Sequence, residues 1–108
     1  MGTTKKIGFS EETIEMADIM KAFGHPARFE IVKFLLKSPT CICGDIVEFL
    51  PLSQSTVSQH LTALKKAKII KGTISGNSIC YCLNENTVQK IRNFINTLII
   101  NPNSSECC

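Results

Sequence analysis

No stretch of this 108-residue chain approaches the roughly 20 consecutive apolar residues that a membrane-crossing helix needs. Residues 1–15 are polar, carry an early acidic cluster and lack the apolar run of a signal peptide, so the expected compartment is the cytoplasm. Histidine is scarce, with two in the whole chain, and neither is paired with a plausible nucleophile. There is also no Cys-x-x-Cys and no alternation of strand and helix patterns, which argues against a thiol enzyme. Internal repeats and low-complexity tracts are absent. The last absence is the most telling: from Phe49 to Asn84 there is no Asp or Glu, while Lys65, Lys66, Lys68 and Lys71 all fall inside. These four lysines exceed the chain's net charge of +3, so the remaining residues sum to −1. Positive charge confined to one segment is what a docking polyanion requires.

The length fits one domain, and 44% hydrophobic residues supply a core, although a chain this short buries a modest share of its surface. Ser10 followed by Glu11, Glu12 and Thr13 reads as a capped helix start. Met16, Ile19, Met20 and Phe23 form its apolar stripe, and Gly24 closes it. Pro26 opens a second helix whose buried face is Ala27, Ile31, Phe34 and Leu35, ended by Ser38-Pro39. Thr40 is expected to cap a third helix that runs to Leu50, before Pro51. Ser53 caps a fourth, from Gln54 to about Lys68, with Val57, Leu61 and Leu64 at the spacing of one buried stripe. Two β-leaning runs, Ile69–Ile74 and Ser78–Leu83, flank Ser75-Gly76-Asn77 and predict a hairpin. A last helix begins near Asn86, with Val88, Ile91, Ile95, Leu98 and Ile99 on one side. The expected division is a domain over residues 1–103 and a cysteine-bearing tail over 104–108.

The polar face of the fourth helix is Gln54, Ser55, Ser58, Gln59, Thr62 and Lys65. It is rich in amides and hydroxyls and empty of acids, unlike an ordinary solvated face. Two short helices joined by a tight turn and followed by a hairpin give the fold class: mainly α with a β-hairpin wing, a winged helix-turn-helix of five helices and two strands. In that layout the second helix enters the major groove. Gln pairs with adenine in bidentate fashion, and hydroxyls reach bases or phosphates.

Phe23-Gly24-His25-Pro26-Ala27-Arg28, then Cys41-Ile42-Cys43-Gly44-Asp45, then Leu52-Ser53-Gln54-Ser55-Thr56-Val57-Ser58-Gln59-His60-Leu61 resemble the arsenical-resistance repressor (ArsR) family of metal-sensing repressors. The resemblance runs from about Met20 to Leu83 in the family's order and spacing. It implies a homodimer paired through its first and last helices, bound to double-stranded operator DNA when unliganded and released by metal. It further implies a recognition helix over Ser53–Lys68. The DNA-contact set carried over is Ser53, Gln54, Ser55, Thr56, Ser58, Gln59, His60 and Lys65, with Asn77 on the wing. Gln54, Ser55, Ser58 and Gln59 would read bases, and His60 or Lys65 would touch phosphate. His25, ahead of Pro26 in a helix–helix turn, reads as structural.

Six cysteines remain. With no sign of export, free thiols are the expected working state. Cys41 and Cys43 stand where arsenic- and cadmium-responsive relatives carry a Cys-x-Cys. A thiolate at a helix start is favoured by the dipole, and soft thiolates select soft ions. Side chains two apart on a helix point to nearly opposite sides, so one ion held by both would unwind the first turn. The family's third cysteine position is Ile46 here, which leaves Cys107 and Cys108 of the tail as candidates for the third ligand. Cys80 and Cys82, two apart in a strand and so on one face, read as packing or exposed filler in the hairpin. The zinc-type site is absent, since 88–100 contains no His, Asp or Glu, and the amino-terminal cysteines of the cadmium type are absent too. The inducer implied is trivalent arsenic or antimony, with no organic cofactor, small organic substrate or membrane partner. The alternatives are a thiol-redox repressor of the same fold, a cadmium- or lead-type soft-metal sensor, and a structural zinc module, which the acid-free recognition helix disfavours.

Overall fold

The computed structural model describes residues 8–38, 42–43, 46–76 and 78–99. Its elements run α1 (Glu11–Phe23), α2 (Pro26–Leu36), β1 (Ile42–Cys43), α3 (Ile46–Phe49), α4 (Gln54–Lys66), β2 (Ile70–Ser75), β3 (Ser78–Leu83) and α5 (Glu85–Asn96). This is the expected winged helix-turn-helix with its five helices, to which a short third strand is added.

The caps form as local chemistry dictates. Ser10 accepts the Thr13 amide at the start of α1, Pro26 occupies the first turn of α2, and Asn84 accepts the Asn86 amide at the start of α5. Ser10 and Asn84 each satisfy an amide that the first helical turn leaves without a partner, and Pro26 has no such amide to satisfy.

The predicted stripes largely meet in one core. Ile19 of α1, Ile31, Val32 and Leu35 of α2, Ile46 of α3, and Val57, Leu61 and Leu64 of α4 are buried together with Ile69 and Ile70. Phe34 stacks on Phe49 at a centroid separation of 4.3 Å, joining α2 to α3. On α5 the stripe divides. Ile91 packs against the core, whereas Phe94, Ile95, Leu98 and Ile99 are exposed. A Lys90–Glu15 ion pair of 2.8 Å links α5 to α1.

One expected element does not form as predicted. The helix foreseen from Thr40 to Leu50 is helical only from Ile46, and Ile42–Cys43 is a strand. It pairs antiparallel with β3, Ile42 opposite Tyr81 and Cys43 opposite Cys80, giving the sheet order β1-β3-β2. The reason is tertiary. β3 has one edge covered by β2, and its other edge offers backbone donors and acceptors that β1 satisfies. The tail over 104–108 lies outside the described residues.

Candidate nucleic-acid interface and cysteine seam

Helix α4 is positioned from both ends. At its start Ser53 Oγ accepts the Thr56 amide at 3.3 Å and donates to Thr56 Oγ1 at 2.9 Å. These two expected DNA-contact residues therefore also build the cap. At its end Lys68 adopts a left-handed conformation, φ 64°. The Lys68 amide donates to the Lys65 carbonyl and the Ile69 amide to the Leu64 carbonyl, at 2.9 and 3.0 Å. This is a Schellman motif, and its hydrophobic clasp is the buried pair Leu64 and Ile69. The clasp turns the chain straight from α4 into β2.

Between these ends the side chains sort cleanly. Val57, Leu61 and Leu64 face the core, while Gln54, Ser55, Ser58, Gln59, Thr62, Lys65 and Lys66 are exposed. Thr62 spends its hydroxyl on the Ser58 carbonyl at 2.9 Å. Lys65 lies over the wing: a methyl group added at Gly72 of β2 would stand 3.3 Å from Lys65 Cδ and 3.4 Å from its Nζ. Glycine at 72 thus lets an α4 cation lie against the hairpin. Gly76, at φ 63°, makes the wing turn. Asn77 lies outside the described residues. Ile74, directly before the turn region, is 79% exposed.

His60 departs from expectation. It was placed beside Gln59 on the polar side, yet it is only 9% exposed. Its Nδ1 accepts from Arg28 Nε at 3.2 Å, and its ring lies 4.4 Å from that of His25. Burial first, then the charges of His25 and Arg28, hold its pKa below the usual 6.5. His25 is structural, as expected: it caps α2 by accepting the Ala27 amide on Nδ1 at 3.0 Å. Arg28 completes the group by donating to the Ala22 carbonyl at 3.3 Å. The His-Pro-Ala-Arg motif is therefore a clamp joining the end of α1, the start of α2 and the middle of α4. The sequence reading missed Arg28, although a signal existed. Residues 28, 31, 32 and 35 follow the helical i, i+3, i+4, i+7 pattern, and three of them are core.

Of the expected metal ligands, Cys41, Cys107 and Cys108 lie outside the described residues, and Cys43 is in β1 rather than at a helix start. The expectation that an ion bound by Cys41 and Cys43 unwinds a helical turn loses its basis. Cys80 and Cys82, read as hairpin packing, are both disulfide-bonded, where free thiols were expected. Cys80 is buried and Cys82 partly so. Among the described residues no three His, Cys, Asp or Glu side chains converge as a metal site.

The family model described as bacterial regulatory protein, arsR family, matches residues 25–71. An HTH-type transcriptional regulator of Methanocaldococcus jannaschii is 36% identical over 82% of this chain and 99% of its own length. The chain belongs to the arsR family. An arsenical resistance operon repressor of Staphylococcus xylosus is 31% identical, covering 86% of each chain. In fold, HlyU of Vibrio cholerae superposes with a TM-score of 0.68 at 23% identity, over 84% of this chain and 98% of that one.

Membership makes the chain a DNA-binding transcriptional repressor of the winged helix-turn-helix type. The match over 25–71 begins at the His25–Arg28 clamp and ends in β2, so it spans α4 and the parts that orient it. Relatives in the arsR family are transcriptional regulators, and no helix among the described residues is long and apolar enough to cross a membrane.

Proposed function

We propose that this arsR-family chain is a cytoplasmic homodimeric repressor that releases operator DNA when arsenite or antimonite binds cysteine thiolates. The observation that carries the DNA half is the exposed, acid-free face of α4, capped by Ser53 and flanked by Lys65 and the wing. Gln54, Ser55, Ser58 and Gln59 read bases, and Lys65 meets phosphate. His60 acts from within, holding α4 against α2 through Arg28.

The inducer half is supported by the arsenical resistance relative and by donor chemistry. Thiolates are the ligands that soft, thiophilic ions select, and Cys41-x-Cys43 supplies two immediately ahead of the helix-turn-helix. The tail pair Cys107 and Cys108 is the sequence-based candidate for the third sulfur. A redox-responsive repressor is the second reading, favoured by one observation: Cys80 and Cys82 are disulfide-bonded.

The test starts from a binding site selected out of random duplex DNA by the reduced protein. Fluorescence anisotropy then follows release by arsenite, cadmium, zinc and peroxide. Arsenite release that Cys41→Ser or Cys43→Ser abolishes, with DNA affinity intact, is the expected result, since a neutral hydroxyl is a poor ligand for a soft ion. Release by peroxide alone would replace metalloid sensing with thiol oxidation.

A further inference from the structure

The two histidines of the chain meet at one place. Their rings lie 4.4 Å apart, His25 at the cap of α2 and His60 in the middle of α4. Each uses Nδ1 as an acceptor, His25 from the Ala27 amide at 3.0 Å and His60 from Arg28 Nε at 3.2 Å. Both bonds need a neutral ring with its proton on Nε2, because an imidazolium carries N–H on both nitrogens. A proton added at His60 Nδ1 would point at the guanidinium N–H, donor against donor. The charges that act on His60 are those of His25 and Arg28, both from α2. From α1 the Ala22 carbonyl takes Arg28 Nη1 at 3.3 Å. Among the described residues neither imidazole takes part in an ion pair.

The bond to Arg28 matters because of what else holds α4. Val57, Leu61 and Leu64 seat the helix in the core, and apolar contact is non-directional. Among the described residues, Arg28–His60 is the one hydrogen bond that joins α2 to α4. It is the directional link that fixes how α4 is turned, and so where Gln54, Ser55, Ser58 and Gln59 point.

We propose that this clamp makes the repressor acid-responsive: a proton taken up by His60 breaks its bond to Arg28, lets α4 turn on its apolar seat and releases operator DNA. Solvent supplies the proton and rehydrates Arg28 Nε, and no covalent bond of the chain changes. His60 is thus a positioning residue, acting on DNA through α4. The inference rests on the DNA-binding half of the reading above and adds a signal independent of the cysteines. Its sign is diagnostic. A histidine that touches phosphate gains charge on acidification and tightens DNA binding. A clamp histidine loses its acceptor lone pair and loosens it. Binding is therefore complete above about pH 6.5 and declines as the pH falls below it.

Fluorescence anisotropy of the reduced protein on its selected site and on an unrelated duplex, at about pH 7.5 and about pH 5.5, tests this. Affinity for the selected site should fall on the order of tenfold at the lower pH, while affinity for the unrelated duplex holds or rises. Tighter binding to both duplexes would mark His60 as a phosphate contact and overturn the clamp, and so would an unchanged selected-site affinity. His60→Asn offers Arg28 an acceptor that takes up no proton in this range, so its two selected-site affinities should be nearly equal. A parental ratio in that variant refutes the assignment. Because the chain has two histidines, two imidazole Cε1–H resonances report the titration in the parent itself, whatever the variant's fold. One midpoint should coincide with the loss of affinity, and midpoints well apart from it would overturn the proposal. The helical circular dichroism of the parent should persist at the lower pH; release that tracks its loss is acid unfolding and also overturns it. A parent that binds neither duplex at about pH 7.5 would instead sink the DNA-binding reading, and the clamp's role with it.

Discussion

Arg28 and His60 form a neutral-acceptor pair whose chemistry sets a pH dependence. The hydrogen bond from Arg28 Nε needs a lone pair on His60 Nδ1, and protonation removes that lone pair. Burial, His25 and Arg28 all disfavour the imidazolium, so the folded-state pKa lies below the unfolded value of about 6.5. A depressed histidine pKa means that its contribution is fully present above about 6.5. That contribution is lost as pH falls from there through the folded value. Urea midpoints should therefore decline on acidification below about pH 6.5, and His60→Gln should flatten that decline. An identical pH profile in the variant would show that His60 is not the titrating group. Lys68 offers a second residue-scale test. Its left-handed backbone is disfavoured for a side chain bearing a Cβ, and the Schellman position it holds is where glycine is most at ease. Lys68→Gly should raise stability by about 0.5–1 kcal/mol, measured by urea unfolding. A loss of stability would show that the lysine side chain compensates for the strain.

At the scale of elements, α4 and the wing act together because the Leu64–Ile69 clasp and Lys65 over Gly72 fix one against the other. Gln59→Ala should weaken binding to the selected site and relax sequence preference, costing on the order of 1–3 kcal/mol for a lost bidentate base contact. Lys65→Ala should weaken all duplexes about equally and lower the salt slope by about one unit per phosphate released. Anisotropy at several salt concentrations separates the two, and no change in either variant would move the docking face elsewhere. Most of this unit was legible in the chain, since caps, stripes and a Gly-centred turn are local signals. Helix α4 and the strand over 78–83 stand where their periodicity placed them. β1 was not legible, because what makes Ile42–Cys43 extended is the open edge of a strand formed much later in the sequence. His60 failed for another reason. Its place next to Gln59 suggested the polar side, while the partner that buries it, Arg28, comes from a different helix.

Over the whole molecule, the distribution of apolar surface points to a second copy. The core accounts for the middle of the chain, but Met20 of α1, Phe94 and Ile95 of α5, and Leu98 and Ile99 just after it remain exposed, Ile99 by 77%. Met16, Ala17, Met20 and Phe94 line a groove of about 630 Å³ between the two helices, with the Glu15–Lys90 pair at its rim. A monomer gains nothing from leaving these side chains in water, and burying each large one contributes about 1.5–3 kcal/mol. No residue of α4 lines this groove, so a two-fold pairing there is expected to leave both α4 helices free. Such a dimer is expected to read an inverted repeat with half-sites about one helical turn apart. Light scattering at micromolar concentration should therefore report a dimer, and Ile95→Glu/Leu98→Glu should report a monomer. Because each protomer then binds its half-site alone, the variant should also lose most of its affinity for the full repeat while keeping weak affinity for a single half-site. A parent protein that is monomeric under these conditions, or a monomeric variant with full affinity for the repeat, would rule this assembly out.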